Sequence, residues 1–276
     1  MAPAKKKTAA KKKTAAKKKT AAKNAVTKTA KTDVVVGSVS TLMGNDLGDG
    51  LQNVQASDLA IPFLQVVQAL SPQRSRNSDK YLKGAEEGDF FNTVTGKLYK
   101  SVDVVPCHFD RCILEWVPRD SSGVGGFIAR HGRDYPINHL PRSEKGNIPT
   151  DPDTGHQLVE TAEHYVMVLD PEGAYPALVS MSSTQLKNSR KWMSNISQRK
   201  VTLNGKRVTP PSYAFAYLLA TAAESKGNNH WYGWSIATEG VMLQDPDLYV
   251  LCRELAKSTA ATTDTSEASY AKTDVV

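Results

Sequence analysis

Phe90–Arg119 reads FFNTVTGKLYKSVDVVPCHFDRCILEWVPR, thirty residues dense in β-branched and aromatic side chains. Its runs predict strands over Phe90–Val94, Tyr99–Phe109 and Cys112–Pro118, with turns at Thr95-Gly96 and Asp110-Arg111. A further short run, Gly126–Ala129, extends this to a meander. The body is thus expected to be a β-rich α+β domain.

Outward from that stretch the same signals recur. His164–Leu169 and Ala177–Met181 flank a turn at Pro171-Glu172-Gly173, and Tyr213–Leu219 and Trp231–Ala237 form a later pair. Between the pairs, Ser182, Ser183 or Thr184 can cap a helix running to about Arg199. A last helix begins at Asp245, with Pro246 in its first turn and Leu248, Leu251, Cys252 and Leu255 on one face. Residues 130–158 are rich in Gly, Pro, Asp and Asn and read as one long excursion. Upstream, a short amphipathic segment over Asp58–Leu70 precedes the polar stretch Ser71–Lys80, which carries Arg74, Arg76 and Lys80.

Of the 276 residues 40% are apolar, enough for a sizeable core, and no run nears the roughly 20 apolar residues of a membrane span. The basic start has no apolar signal-peptide region behind it: Lys19 leads into Thr20, Ala21, Ala22, Lys23 and Asn24. Cys107, Cys112 and Cys252 are too few for a disulfide framework and read as reduced thiols, so a cytoplasmic location is expected.

The net charge of +7 hides a division. Residues 1–31 hold twelve lysines and no acid, so of 35 basic residues 23 remain to face 28 acidic ones in a mildly acidic body. KKKTAA repeats from Lys5, Lys11 and Lys17, placing Lys5, Lys6, Lys7, Lys11, Lys12, Lys13, Lys17, Lys18 and Lys19 in three clusters. A period of six spreads lysines round any helix, so 1–31 reads as a disordered polybasic tail whose lysines meet phosphates. Residues 32–57 read as a linker, 58–257 as the folded domain and 258–276 as a polar tail. The hexapeptide AKTDVV stands at both Ala30–Val35 and Ala271–Val276.

Inside the acidic body lies a basic island. Between Glu172 and Glu224 there is no acid, but there are Lys187, Arg190, Lys191, Arg199, Lys200, Lys206 and Arg207. On a helical wheel Leu186, Met193 and Ile196 share one face and Lys187, Arg190 and Lys191 the adjoining one, while an Asn204-Gly205 turn presents Lys206 and Arg207. These cations are expected to pair with phosphates, with Trp192 and either Trp231 or Trp234 stacking on unpaired bases. Trp231 and Trp234 are three apart, so a regular strand turns at most one of them outward. Tyr213, Phe215 and Tyr217 alternate as one buried sheet face does.

Three stretches, YLKGAEEGDFFNTVTGKLY at Tyr81–Tyr99, ILEWVPR at Ile113–Arg119 and STQLKNSRKW at Ser183–Trp192, resemble the single-stranded-DNA-binding proteins of tailed phages. The resemblance spans residues 58–257 and implies an OB-like barrel with additional strands and helices. The Lys/Ala/Thr tail resembles those of linker histones and bacterial histone-like proteins. Such tailed-phage proteins commonly end in a strongly acidic segment, whereas Ser258–Val276 has only Asp264, Glu267 and Asp274 against Lys272.

No P-loop, HExxH, GxSxG or dinucleotide fingerprint is present. Cys107, His108 and Cys112 lack the paired spacing of structural zinc, and Asp151, Asp153 and Gly155 lack the third ligand of a calcium loop. The expectation is therefore a non-enzymatic, cofactor-free protein that binds single-stranded DNA without sequence preference in replication or recombination. Its expected partners are single-stranded DNA, duplex DNA through the tail, further copies of the chain, and replication or recombination proteins. The rival is a DNA-compacting or virion-associated protein that acts through the tail while the body oligomerises.

The tail makes its own prediction. With about 8 lysines on duplex phosphates, deleting residues 1–31 reduces the log–log salt slope of binding by roughly 7. An unchanged slope removes the tail from the binding account.

Overall fold

The computed structural model describes residues 61–118, 125–143 and 147–261. The lysine tail, the linker, the start of the domain at residue 58 and the C-terminal residues 262–276 lie outside the described residues.

Three short strands, β1 (Leu64–Val66), β2 (Phe90–Asn92) and β3 (Leu98–Tyr99), form one antiparallel sheet. The main sheet holds β4 (Ser101–Val117), β5 (Gly126–His131), β6 (Gln157–Asp170), β7 (Gly173–Ser182), β10 (Phe215–Lys226), β11 (Asn229–Ile236) and β12 (Val241–Met242). Its order is β11-β10-β4-β6-β7, with β5 on β4 and β12 on β10. Helix α1 (Leu186–Gln198) and the hairpin β8 (Val201–Leu203) and β9 (Lys206–Val208) lie between β7 and β10, and α2 (Pro246–Ala261) closes the described chain. The body is β-rich, with two α-helices where the sequence places them.

The expected turn at Asp110-Arg111 does not form. β4 runs unbroken for 17 residues and pairs with β6 from Asp103↔Leu169 to Trp116↔Gln157. The irregularity falls instead between Pro106 and His108, where the register shifts. Pro106 has no N–H to give the ladder, so the chain slips there by a bulge. The slip reverses the side-chain parity: Val102 and Val104 point into the main core, whereas Cys112 and Leu114 point to the opposite face. One strand thereby feeds the main core and two smaller clusters, one through Cys112 and Leu114 and one through Val105 and Cys107. The segment expected to be amphipathic over Asp58–Leu70 likewise contributes strand β1, with Phe63 bridging Leu178 of β7.

The main core shows that the sheet curls. β7 and β11 stand at opposite ends of the strand order, yet Val179 and Met181 of β7 and Trp234 of β11 pack in one cluster around Trp192 of α1. Outside the curl, Phe63 covers Tyr165, and Cys252 of α2 covers Met167 and Cys107. Both faces of β6 are therefore buried, which explains its unbroken apolar run Tyr165–Val168. All three cysteines are free and buried, and burial pushes the Cys112 thiol up, away from reactivity.

Between β7 and β11 the gap is bridged by side-chain amides. Gln68, just beyond β1, donates to the Tyr232 carbonyl at 2.7 Å and accepts from its N–H at 2.9 Å. At Trp234 the N–H goes to Gln185 Oε1 at 2.8 Å and the carbonyl accepts from Asn188 Nδ2 at 2.9 Å. The Gln185 amide lies so close over Gly233 that a Cβ there would collide with it. The expected side-chain cap at Ser182, Ser183 or Thr184 does not form. A 3-10 turn over Ser183–Gln185 leads into α1 instead.

The excursion after β5 is anchored at both ends by one carboxylate. Glu115 of β4 bonds His131 Nε2 at 2.7 Å and His156 Nδ1 at 2.6 Å, and His131 stacks on Tyr135.

The small sheet is tied to the large one through Asp170 at the β6–β7 turn. Its carboxylate accepts from Lys97 Nζ at 2.8 Å, from the Tyr99 hydroxyl at 2.6 Å and from the Glu172 N–H at 2.9 Å. These bonds, that from Lys97 foremost, hold the Asp170 carboxyl down at about 2. A depressed carboxyl contributes stability that is complete above its unfolded value near 4 and lost as pH falls toward the folded value. The urea midpoint should therefore fall between about pH 4 and pH 2, and Asp170→Asn should fall less steeply over that window. Parallel curves for parent and variant would place the acid sensitivity elsewhere.

Candidate nucleic-acid interface

The acid-free stretch folds into α1 and the β8–β9 hairpin, and its residues separate into two groups. Lys187, Arg190, Lys191, Lys200, Lys206 and Arg207 are exposed. The hairpin carries Lys206 and Arg207 because Asn204 and Gly205 both take positive φ, 50° and 76°, the turn expected for that dipeptide. Lys200 bonds the Thr209 hydroxyl at the foot of the same hairpin.

Arg199 belongs to the second group. It is half-buried, its guanidinium stands 4.6 Å from the Phe215 ring centroid, and Nη1 donates to the Gly240 carbonyl at 3.3 Å. That cation is used in holding α1 and the β11–β12 connection to β10, so its role as a phosphate contact is corrected.

The tryptophans require the larger correction. Trp192 is 1% exposed, its ring 4.7 Å from that of His164 and 6.0 Å from that of Tyr217. Trp234 is 5% exposed and meets Phe90 edge-on at 5.2 Å. Neither indole is open to a base in this fold. Trp231 is half-buried, and its N–H meets no acceptor among the described residues. Of the three alternating aromatics, Phe215 and Tyr217 are buried on the strand as a sheet face requires, whereas Tyr213 is half-buried in the 3-10 turn before it.

Wheel geometry alone puts Leu186, Met193 and Ile196 on the apolar face. The buried set is Leu186, Ser189, Trp192 and Ile196, with Met193 only partly covered. The buried stripe is turned toward Trp192 because Ser189 follows it inward to bond His164 Nε2 at 2.8 Å. Burial pushes His164 down to about 3, so this ring is neutral near pH 7 and acts as a polar pin for α1.

One acid enters the island from outside the window. Glu224, near the end of β10, lies 3.2 Å from Lys187 Nζ, and its other oxygen is 3.3 Å from Asn188 Nδ2. Burial opposes ionisation, but the bonds from Lys187, Gln185 and Asn188 prevail and hold its carboxyl below the ordinary range. Sequence reading missed this residue, since Lys187 and Glu224 meet only when α1 lies against the β10–β11 ribbon.

Elsewhere, charge is used internally. Arg130 of β5 donates to buried Glu163 at 2.9 Å and also bonds Asp110. Among the described residues no group of three His, Cys, Asp or Glu side chains is arranged to hold a metal. No described helix is long and apolar enough to cross a membrane.

In comparison with known proteins, the model of a family described as Pam3 phage gp34-like protein matches residues 30–265. No curated protein and no solved structure matches.

If Trp192 is core and not a stacking platform, Trp192→Ala empties a large filled site. Urea unfolding should then show a loss of about 3–5 kcal/mol. A loss under about 1 kcal/mol, as for an exposed position, would return Trp192 to the surface.

Proposed function

The chain belongs to the Pam3 phage gp34-like protein family, and from that premise we propose that it binds single-stranded DNA through its backbone, without sequence preference, in phage replication or recombination. The observation that carries this reading is the exposure of six cations, Lys187, Arg190, Lys191, Lys200, Lys206 and Arg207, on one helix and the hairpin that follows it, within an otherwise acidic body. Clustered cations bind phosphates by releasing their counterions, and this attraction is blind to base identity.

Strand connectivity supports the choice of a single-strand binder. β4, β6 and β7 form a meander, α1 follows, β10 returns antiparallel to the free side of β4, and β11 completes a hairpin with β10. An OB-type barrel has this connectivity, with a helix between its third and fourth strands, and that fold commonly serves unpaired strands. The family's phage description supports the setting. With Trp192 and Trp234 in the core, the proposed grip falls on cation–phosphate pairs.

Neutralising Lys187, Arg190 and Lys191 together tests the proposal. All three are exposed, so the fold should survive. Three lost single-strand contacts should lower the log–log salt slope by roughly 2, with weaker binding to an oligothymidine. Equal affinity and slope in a folded variant would make the island a solvated face. Deleting residues 1–31 separates the tail-driven rival: if that chain no longer binds single strands, the grip resides in the tail.

A further inference from the structure

With two indoles sealed in the core, the open aromatic surface lies elsewhere. At 40% Tyr135 is the most exposed Phe, Tyr or Trp side chain among the described residues. It follows the end of β5, where its N–H bonds the Gly132 carbonyl at 3.1 Å and turns the chain back, and Pro136 after it disfavours helical backbone at this position. The turn lays the tyrosine ring on His131, with centroids 3.9 Å apart and planes 20° from parallel. His131 covers one ring face, so the exposed surface belongs to the other face and the rim.

The stack is pinned from beneath. Glu115 bonds His131 at 2.7 Å and His156 at 2.6 Å, and these bonds, that from His156 foremost, hold its carboxyl below the ordinary range. A ring fixed before its ligand arrives loses little freedom when a base settles on it. The ring is also mounted on the same side of the sheet as α1. Phe109 packs on the main core, whereas Cys112 and Leu114 point to the opposite face, so Phe109, Arg111, Ile113 and Glu115 share one face by alternation. His131, paired with Ile113, lies on that face too. Helix α1 meets it at His164, the partner of Phe109, through Ser189. The strand from Phe109 to Glu115 is about 20 Å long. That spacing fits inside the roughly 4–16 nucleotides that one OB-type domain engages.

We infer that Tyr135 is a stacking platform for one unpaired base of the bound strand, its outer face offered to the base and its inner face held by His131. The inference rests on the single-strand reading and adds one uncharged contact to a grip otherwise set by phosphates. Every base has a π-face, so the contact is blind to sequence, and a base already stacked within a duplex cannot reach it. Arg133, exposed two residues before Tyr135, is placed to meet the phosphate beside the stacked base. His131 and Glu115 act through the tyrosine and are positioning residues.

The test uses the full chain, fluorescence anisotropy and a fifteen-nucleotide oligothymidine. Tyr135→Ala should bind at least about fivefold more weakly than the parent, the lower bound for one stacked base, with its log–log salt slope unchanged because the ring carries no charge. Tyr135→Phe, which restores the ring, should recover the loss. Irradiating the parent on an oligothymidine that carries iodouracil should place a crosslink in the peptide holding Tyr135, a readout that needs no variant to fold. A folded Tyr135→Ala with the parent's affinity, or with a loss matched by a lower salt slope, overturns the platform and leaves the backbone-binding reading standing, as do crosslinks confined to other peptides. A parent that binds no oligothymidine overturns both.

Discussion

An open antiparallel sheet that curls until its ends approach must do something with the unpaired backbone of its last strand. Each buried N–H or C=O left without a partner costs about 1–3 kcal/mol, and an open edge also invites pairing with other chains. Here three side-chain amides answer both problems at β11. Gln68 takes both backbone groups of Tyr232, while Gln185 and Asn188 divide those of Trp234. These amides come from the segment after β1, from the 3-10 turn before α1 and from α1 itself. The same bonds that finish the edge therefore fix where the small sheet and α1 sit on the large one.

That constraint orders the interior. With α1 tied to β11 through Asn188, its next inward positions, Ser189 and Trp192, are delivered to the concave side, where Ser189 meets His164 and Trp192 fills the space between His164 and Tyr217. The outward positions of the helix follow from the same tie. Lys187, Arg190 and Lys191 are turned to solvent. Gly233 fits this geometry because the amide that caps Trp234 crosses directly over it.

Local chemistry was legible in the sequence and long-range chemistry was not. Asn204-Gly205, Thr95-Gly96 and the turn before Gly173 announce their turns because each requires a backbone conformation that few residues adopt, and Gly96, Asn204 and Gly205 indeed take positive φ. The two helices are visible from their periodicity. A charged pair at Asp110-Arg111 looks like a turn locally, but Arg111 reaches Glu160 across the strands at 2.8 Å and Asp110 bonds Arg130, so both are satisfied inside a continuous strand. Periodicity likewise assigns Trp192 to a face next to the cations. It cannot say that the sheet curls over that face, since this depends on contacts with His164 and Tyr217 far away in sequence.

The burial of the tryptophans changes what kind of recognition the charges can support. Stacking platforms recognise bases by their faces, which all bases share, and they need exposed rings. With Trp192 and Trp234 sealed in the core, the surface beside them offers exposed cations, so the proposed grip is one on phosphates. Phosphate contacts act at every nucleotide and weaken with salt. On the proposed reading, raising the salt concentration should therefore erode affinity for every strand together, whatever its bases.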